Sequence, residues 1–253
     1  MGPGISLRMT LSRSVLPASN EPQLIYALLE LTAQGLPMTL PKLPLNLCLV
    51  LDRSSSMRGE RLQQVKEAAG RIVEMLDADD YFSLVAFNDR AEVVVPAQRV
   101  RNRNDLKRQI GMIEAAGGTE MATGMALALQ EIQKPVQSRS VSRILLLTDG
   151  RTYGDEGRCV EIARRAQNRG IGLTALGIGN EWNEDLLETM AAHESSRTQF
   201  ITSAAEISAI FTDEVKRMSS TFAQDIALRC EVRPGALLRS VDRVRPFIAR
   251  VQA

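Results

Sequence analysis

Leu45-Asn46-Leu47-Cys48-Leu49-Val50-Leu51-Asp52-Arg53-Ser54-Ser55-Ser56 is the stretch on which the fold turns. A nearly continuous apolar run stops at a carboxylate and passes straight into three serines. Such a run, bounded by a polar turn, is a strand with both faces buried, as in a parallel sheet covered by helices. A second run of the same kind, Arg143 to Thr148, also ends in an aspartate, Asp149.

Outward from these two runs, short apolar segments alternate with segments of helical period. Leu62, Val65, Ala69, Ile72, Val73 and Leu76 recur at steps of three and four and predict a helix over Glu60 to Leu76. Strands are expected at Tyr81 to Phe87 and Ala91 to Val95. Only Asn88-Asp89-Arg90 joins them, too few residues for a crossover helix, so this pair is antiparallel. Helices follow near 105–113 and 121–132, then strand 143–148, a helix over 157–168 stopped by Gly170, strand 171–177, helix 184–192, strand 199–202 and a last amphipathic helix over 205–218. The expected class is α/β: a Rossmann-like, doubly wound, mostly parallel six-stranded sheet with one antiparallel edge strand.

The two ends have a different rhythm. Ile5, Leu7, Met9 and Leu11 alternate with polar residues, as do Ile226, Leu228, Cys230 and Val232, and Leu24 to Leu31 and Leu237 to Val244 are further candidate strands. Period-two alternation predicts half-buried antiparallel strands. The expected organisation is an α/β domain over 43–219 inserted into a small β-sandwich, with 1–42 supplying its N-terminal part and a Pro-rich linker, and 220–253 its C-terminal part.

Composition removes several classes of function. In 253 residues there are 31 Lys+Arg against 30 Asp+Glu, a net charge of +1, without the basic footprint of a nucleic-acid or anionic-membrane binder. No apolar run approaches the roughly 20 residues of a membrane span, and the first 20 residues contain no signal-peptide core. Cys48, Cys159 and Cys230 are widely spaced and form no C-x-x-C pair, which suits a reducing, cytoplasmic compartment. The one histidine, His193, closes a predicted helix and reads as a helix-end residue rather than a catalytic base. Nucleotide-binding glycine loops and zinc-protease motifs are absent from the sequence.

What remains is a set of oxygens at the strand ends. Ligands of doubly wound sheets bind beyond the carboxyl ends of the strands, where strand order reverses. Asp52, Ser54 and Ser56 form D-x-S-x-S, one carboxylate and two hydroxyls at alternate positions of an extended turn. Thr119, in Gly117-Gly118-Thr119-Glu120, and Asp149, in Thr148-Asp149-Gly150, bring two more oxygens. Hard oxygen donors of this kind suit Mg2+, with Mn2+ or Ca2+ as alternatives. Taken singly, D-x-S-x-S also reads as a helix start and T-D-G as a strand-to-turn transition.

At these five positions, and in the order of elements over 43–219, the chain resembles the von Willebrand factor A domain family, prokaryotic intracellular type. The metal-ion-dependent adhesion site of that family combines D-x-S-x-S with a later Thr and a later Asp. The resemblance implies a protein-interaction module in which an Asp or Glu of a partner completes the coordination of the ion. It also implies coupling of binding to movement of the last helix. Arg53, Met57, Arg58, Arg151, Tyr153 and Trp182 are candidates for the partner rim, since Arg and aromatic residues anchor interfaces. Trp182 reads equally well as local packing of its loop.

The competing class is a Mg-dependent phosphatase-like or phosphoacceptor enzyme built on the strand-ending Asp52. Ser54 stands where the haloacid dehalogenase type needs a second Asp, and the downstream Lys has no placed counterpart. A metal-free interaction module is a third reading. The partner, the pathway and the oligomeric state have no signature in the sequence.

Overall fold

In the computed structural model, described for residues 4–34, 43–135, 140–149, 152, 154–178, 182–192, 196–201, 206–219, 228–244 and 249–250, the chain divides into two units, 1–222 and 223–253. The first unit opens with β1 (Gly4–Leu11) and β2 (Ala27–Gln34), an antiparallel pair running from Gly4 opposite Gln34 to Leu11 opposite Ala27. On one face of this pair Ile5, Leu7, Met9 and Leu11 lie opposite Ala33, Leu31, Leu29 and Ala27.

The α/β core follows in the expected order: β3 (Leu45–Asp52), α1 (Glu60–Met75), β4 (Tyr81–Phe87), β5 (Ala91–Arg99), α2 (Arg103–Gly111), α3 (Met121–Gln133), β6 (Val141–Thr148), α4 (Glu156–Gln167), β7 (Gly172–Ile178), α5 (Glu184–Met190), β8 (Arg197–Ile201) and α6 (Ile207–Ser219). The six strands lie in the order β5-β4-β3-β6-β7-β8. All neighbours are parallel except β4–β5, the hairpin that the three-residue connection demanded.

Every residue of β3 is buried, because helices cover both faces of the sheet. Leu45, Leu47, Leu49 and Leu51 face α1, α2 and α6, while Cys48 and Val50 face α3, α4 and α5. At roughly 25 cal/mol per Å2 of apolar surface, this two-sided burial is the main favourable term of the fold. Gly170 adopts φ +71° just past α4, as the stop signal predicted.

In the second unit, β9 (Asp242–Arg243) and β10 (Ala249–Arg250) form a short antiparallel pair. The strand expected over 226–233 is absent where it is described: residues 228–233 form no strand, and 226–227 lie outside the described residues. The strand expected over 237–244 is reduced to β9. Alternation states which face of a strand would be buried; it does not supply the neighbour whose hydrogen bonds make a strand. Pro234 and Gly235, at φ +94°, close a turn there through the Ala236 N–H to the Arg233 carbonyl.

Candidate metal centre

The chain winds outward from β3 to β4 and β5 in one direction, and from β6 to β7 and β8 in the other. The reversal lies between β3 and β6, which pair in parallel up to Leu51 opposite Leu147. Asp52 ends β3, and Asp149 directly follows β6, so the two carboxylates emerge side by side at the switch point.

There the oxygens form a connected cluster. Asp52 Oδ1 accepts the Ser54 backbone N–H at 2.8 Å, and Oδ2 accepts the Thr148 hydroxyl at 2.6 Å. The Ser54 and Ser56 hydroxyls touch at 3.0 Å, and Ser56 donates to Asp149 Oδ1 at 2.7 Å. Arg61 Nη1 holds Asp149 Oδ2 at 2.7 Å. The cluster runs outward: Asp52 and Asp149 are buried at 0% and 2% exposure, Ser54 is buried, and Ser56 is exposed. Burial pushes the Asp52 carboxyl above its ordinary range; hydrogen bonds from Ser54 and Thr148 pull it back, and the neighbouring Asp149 adds a smaller upward push.

The glycine loop is fastened beside this cluster through its backbone. Ser55 donates to the Gly117 carbonyl from both N–H and hydroxyl, at 3.0 and 2.8 Å, and the Ala116 N–H reaches the Arg53 carbonyl at 2.9 Å. A Cβ at Gly117 or Gly118 would collide with the Asp89 carboxylate, which accepts the Gly118 N–H at 2.8 Å. Gly117 adopts φ +77°, a backbone that favours glycine, and the half-buried Thr119 follows just beyond Gly118. The Thr119 carbonyl accepts the Thr152 hydroxyl at 3.3 Å, and Thr152 and Asp155 serve the first N–H groups of α3, at Met121 and Ala122. Among the described residues no hydrogen bond joins the Thr119 hydroxyl to the other four predicted ligands.

The expected rim needs correction at Met57. Its side chain is fully buried in the core and is unavailable to a partner, because the 3₁₀ turn Ser55–Met57 turns it inward. Trp182 stacks on Phe200 with centroids 4.2 Å apart and packs so closely over Gly177 that a Cβ there would lie 2.7 Å from the indole, so local packing accounts for it. Arg53 pairs with Glu92 at 3.0 Å, Arg58 is exposed, and Arg151, Tyr153 and His193 lie outside the described residues. Arg61, Thr148, Thr152 and Asp155 were not anticipated. Arg61 belongs to the polar face of an amphipathic helix, and only the proximity of β6 to that helix reveals it.

Chemically, the donor set fits a hard divalent cation. Two carboxylates and two contiguous hydroxyls are all oxygen, and the outermost hydroxyl faces solvent. Among the described residues no three His, Cys, Asp or Glu side chains converge, so thiolate or imidazole metal sites have no scaffold there. No helix among them is long and apolar enough to cross a membrane.

The chain is 39% identical over 204 residues to the uncharacterized protein sll0103 of Synechocystis sp., covering 80% of this chain and 48% of that protein. It is 34% identical over 167 residues to inter-alpha-trypsin inhibitor heavy chain H4 of Bos taurus, covering 61% and 18%. The chain thus spans about half, or less, of the length of these relatives. Among solved structures, a von Willebrand factor type A protein from Catenulispora acidiphila superposes with TM-score 0.76 at 20% identity over 98% of this chain and 57% of that one. Proximal thread matrix protein 1 of the mussel byssus, solved with a zinc-occupied MIDAS motif, gives 0.62 at 23% identity over 70% and 46%. The family model of the von Willebrand factor type A domain matches residues 46–213, and the chain belongs to that family.

Proposed function

We propose that the chain is a metal-dependent protein-interaction module, a scaffold or assembly component, in which Asp52, Ser54, Ser56, Thr119 and Asp149 hold one Mg2+-class ion and an Asp or Glu of a partner protein completes its coordination. Domains of this family generally mediate metal-dependent protein–protein interaction. The observation that carries the reading here is the oxygen cluster running from buried Asp52 through Ser54 to exposed Ser56, with Asp149 beside it. Only two carboxylates take part, so a bound divalent ion would keep an electrophilic position for an anionic oxygen from outside. The zinc held at the MIDAS motif of the byssus protein supports a divalent ion.

The enzyme reading is less well supported. A phosphatase of the haloacid dehalogenase type needs a second Asp two residues after the first, where this chain has Ser54. The proposal places the module in the cytoplasm, in keeping with three free cysteines. For the N-terminal part of the expected β-sandwich, the apolar face of β1–β2 is the support.

Calorimetric titration with Mg2+ tests the site. One ion is expected per chain, with affinity weakened at least about 100-fold in Asp149→Ala. Equal affinity in that variant would show the ligand set to be wrong.

A further inference from the structure

Asp149 is shared by two unlike neighbours. Ser56 donates to Oδ1 from the D-x-S-x-S turn, and Arg61, on the first turn of α1, holds Oδ2 at 2.7 Å. The Asp149 side chain is fully buried, whereas that of Arg61 is 46% exposed. The carboxylate follows directly on a central strand and has nowhere to go. The guanidinium sits on a long flexible stem, already half in water, and can leave without opening the core.

We propose that Arg61 is a tethered counter-ion of the metal centre: it neutralises Asp149 in the cation-free chain, competes with a divalent cation for Oδ2, and swings into solvent when the ion binds. The inference rests on the ion-binding reading given above. Two buried carboxylates close together repel each other, and a cation between or beside them relieves the repulsion. Arg61 supplies one positive charge from within the chain, and to one carboxylate only, since Asp52 is served by neutral donors. A divalent ion replaces that single charge with two and engages the remaining oxygens. A monovalent ion only exchanges one charge for another, so the tether biases the site toward divalent cations.

The test is isothermal titration of the full chain with MgCl2 and MnCl2, with thermal melting in EDTA and in saturating Mg2+. Arg61→Ala should bind the ion about fivefold more tightly than wild type, the upper end expected of losing a half-exposed ion pair from the competing state. Arg61→Lys, which keeps the charge, and Arg58→Ala, which removes a nearby exposed charge without a contact to Asp149, should each stay within about twofold. In EDTA, Arg61→Ala should melt below wild type, and the gap should close in saturating Mg2+, because the bound state does not use the pair. Unchanged or weaker ion binding by Arg61→Ala, or a melting gap that persists with Mg2+, would show a permanent structural bridge and overturn the proposal. Equal tightening by Arg58→Ala would assign the effect to long-range charge and overturn it too. If wild type takes no ion and Arg61→Ala takes one, the competition is confirmed in its strongest form. If neither takes one, the metal reading itself falls, and the tether with it.

Discussion

Two carboxylates are buried at opposite ends of the same sheet and are treated in opposite ways. Glu214, on α6, is 1% exposed near the amino ends of β6, β7 and β8. Two guanidiniums surround it: Arg143 lies 3.3 Å away, Arg197 also pairs with it, and Thr174 adds a hydrogen bond at 3.0 Å. Asp52, at the carboxyl end of β3, is 0% exposed and receives only neutral donors from Ser54 and Thr148. Burying an ion costs several kcal/mol unless it is compensated, and the fold itself compensates Glu214 with opposite charge. At Asp52 the compensation is incomplete, and the carboxyl is correspondingly pushed above its ordinary range. The cation-paired Glu214 fixes a helix on a sheet, whereas at Asp52 the missing opposite charge is what the proposed ion would supply.

Breaking the structural end should have the largest effect. Glu214→Ala leaves Arg143 and Arg197, both driven toward the neutral form by burial and by nearby Arg217, without their counter-charge. Loss of about 3 kcal/mol is expected, the lower end of the range for broken buried pairs because both arginines are partly exposed. Urea denaturation measures it, and a loss below about 1 kcal/mol would place Glu214 among ordinary surface pairs and erase the contrast.

The functional end should respond to the ion rather than to denaturant. Partner proteins retained by the immobilised chain should be released by EDTA with at least about a tenfold loss of affinity, which corresponds to about 1.4 kcal/mol. Capture that is equally tight with and without EDTA would move the interface away from Asp52 and Asp149.

The smallest effect concerns protonation. With the folded-state value of Asp52 raised, the neutral acid is the form the fold favours; this stability is fully present below the unfolded-state value and is lost as pH rises through the folded one. Asp52→Asn should therefore stabilise the cation-free chain at neutral pH, by under about 1 kcal/mol, and match wild type in acid. Thermal melting in EDTA across pH measures this. In wild type, ion affinity should fall as pH drops through the same range, because only the carboxylate binds a cation. An Asp52→Asn variant less stable than wild type at neutral pH would mean that Thr148 and Ser54 fully offset the burial.

The same contrast separates what was legible in the sequence from what was not. The continuous apolar runs 45–51 and 143–148 announced central strands, since only a strand covered on both faces has no need of polar residues. The connection at 88–90 announced the antiparallel edge by length alone. Terminal alternation misled at 228–233, where no strand forms: pattern describes a strand's two faces but not its neighbour. Met57 looked like a rim residue because it follows the serines, yet one 3₁₀ turn sends it into the core.

By itself, then, the sequence determined the order and kind of elements in the α/β domain and the chemistry at its strand ends, because period and residue type are local properties that every stretch of chain carries with it. Only the tertiary structure decided that Ser56 reaches Asp149, that Thr148 supports Asp52, that Arg61 covers Asp149 and that Glu214 meets Arg143 and Arg197. These partners come from different elements, or from the turns that follow them, and become neighbours through sheet order and helix packing. Long-range pairing of this kind is set by how strands are ordered and helices packed, which no local pattern encodes.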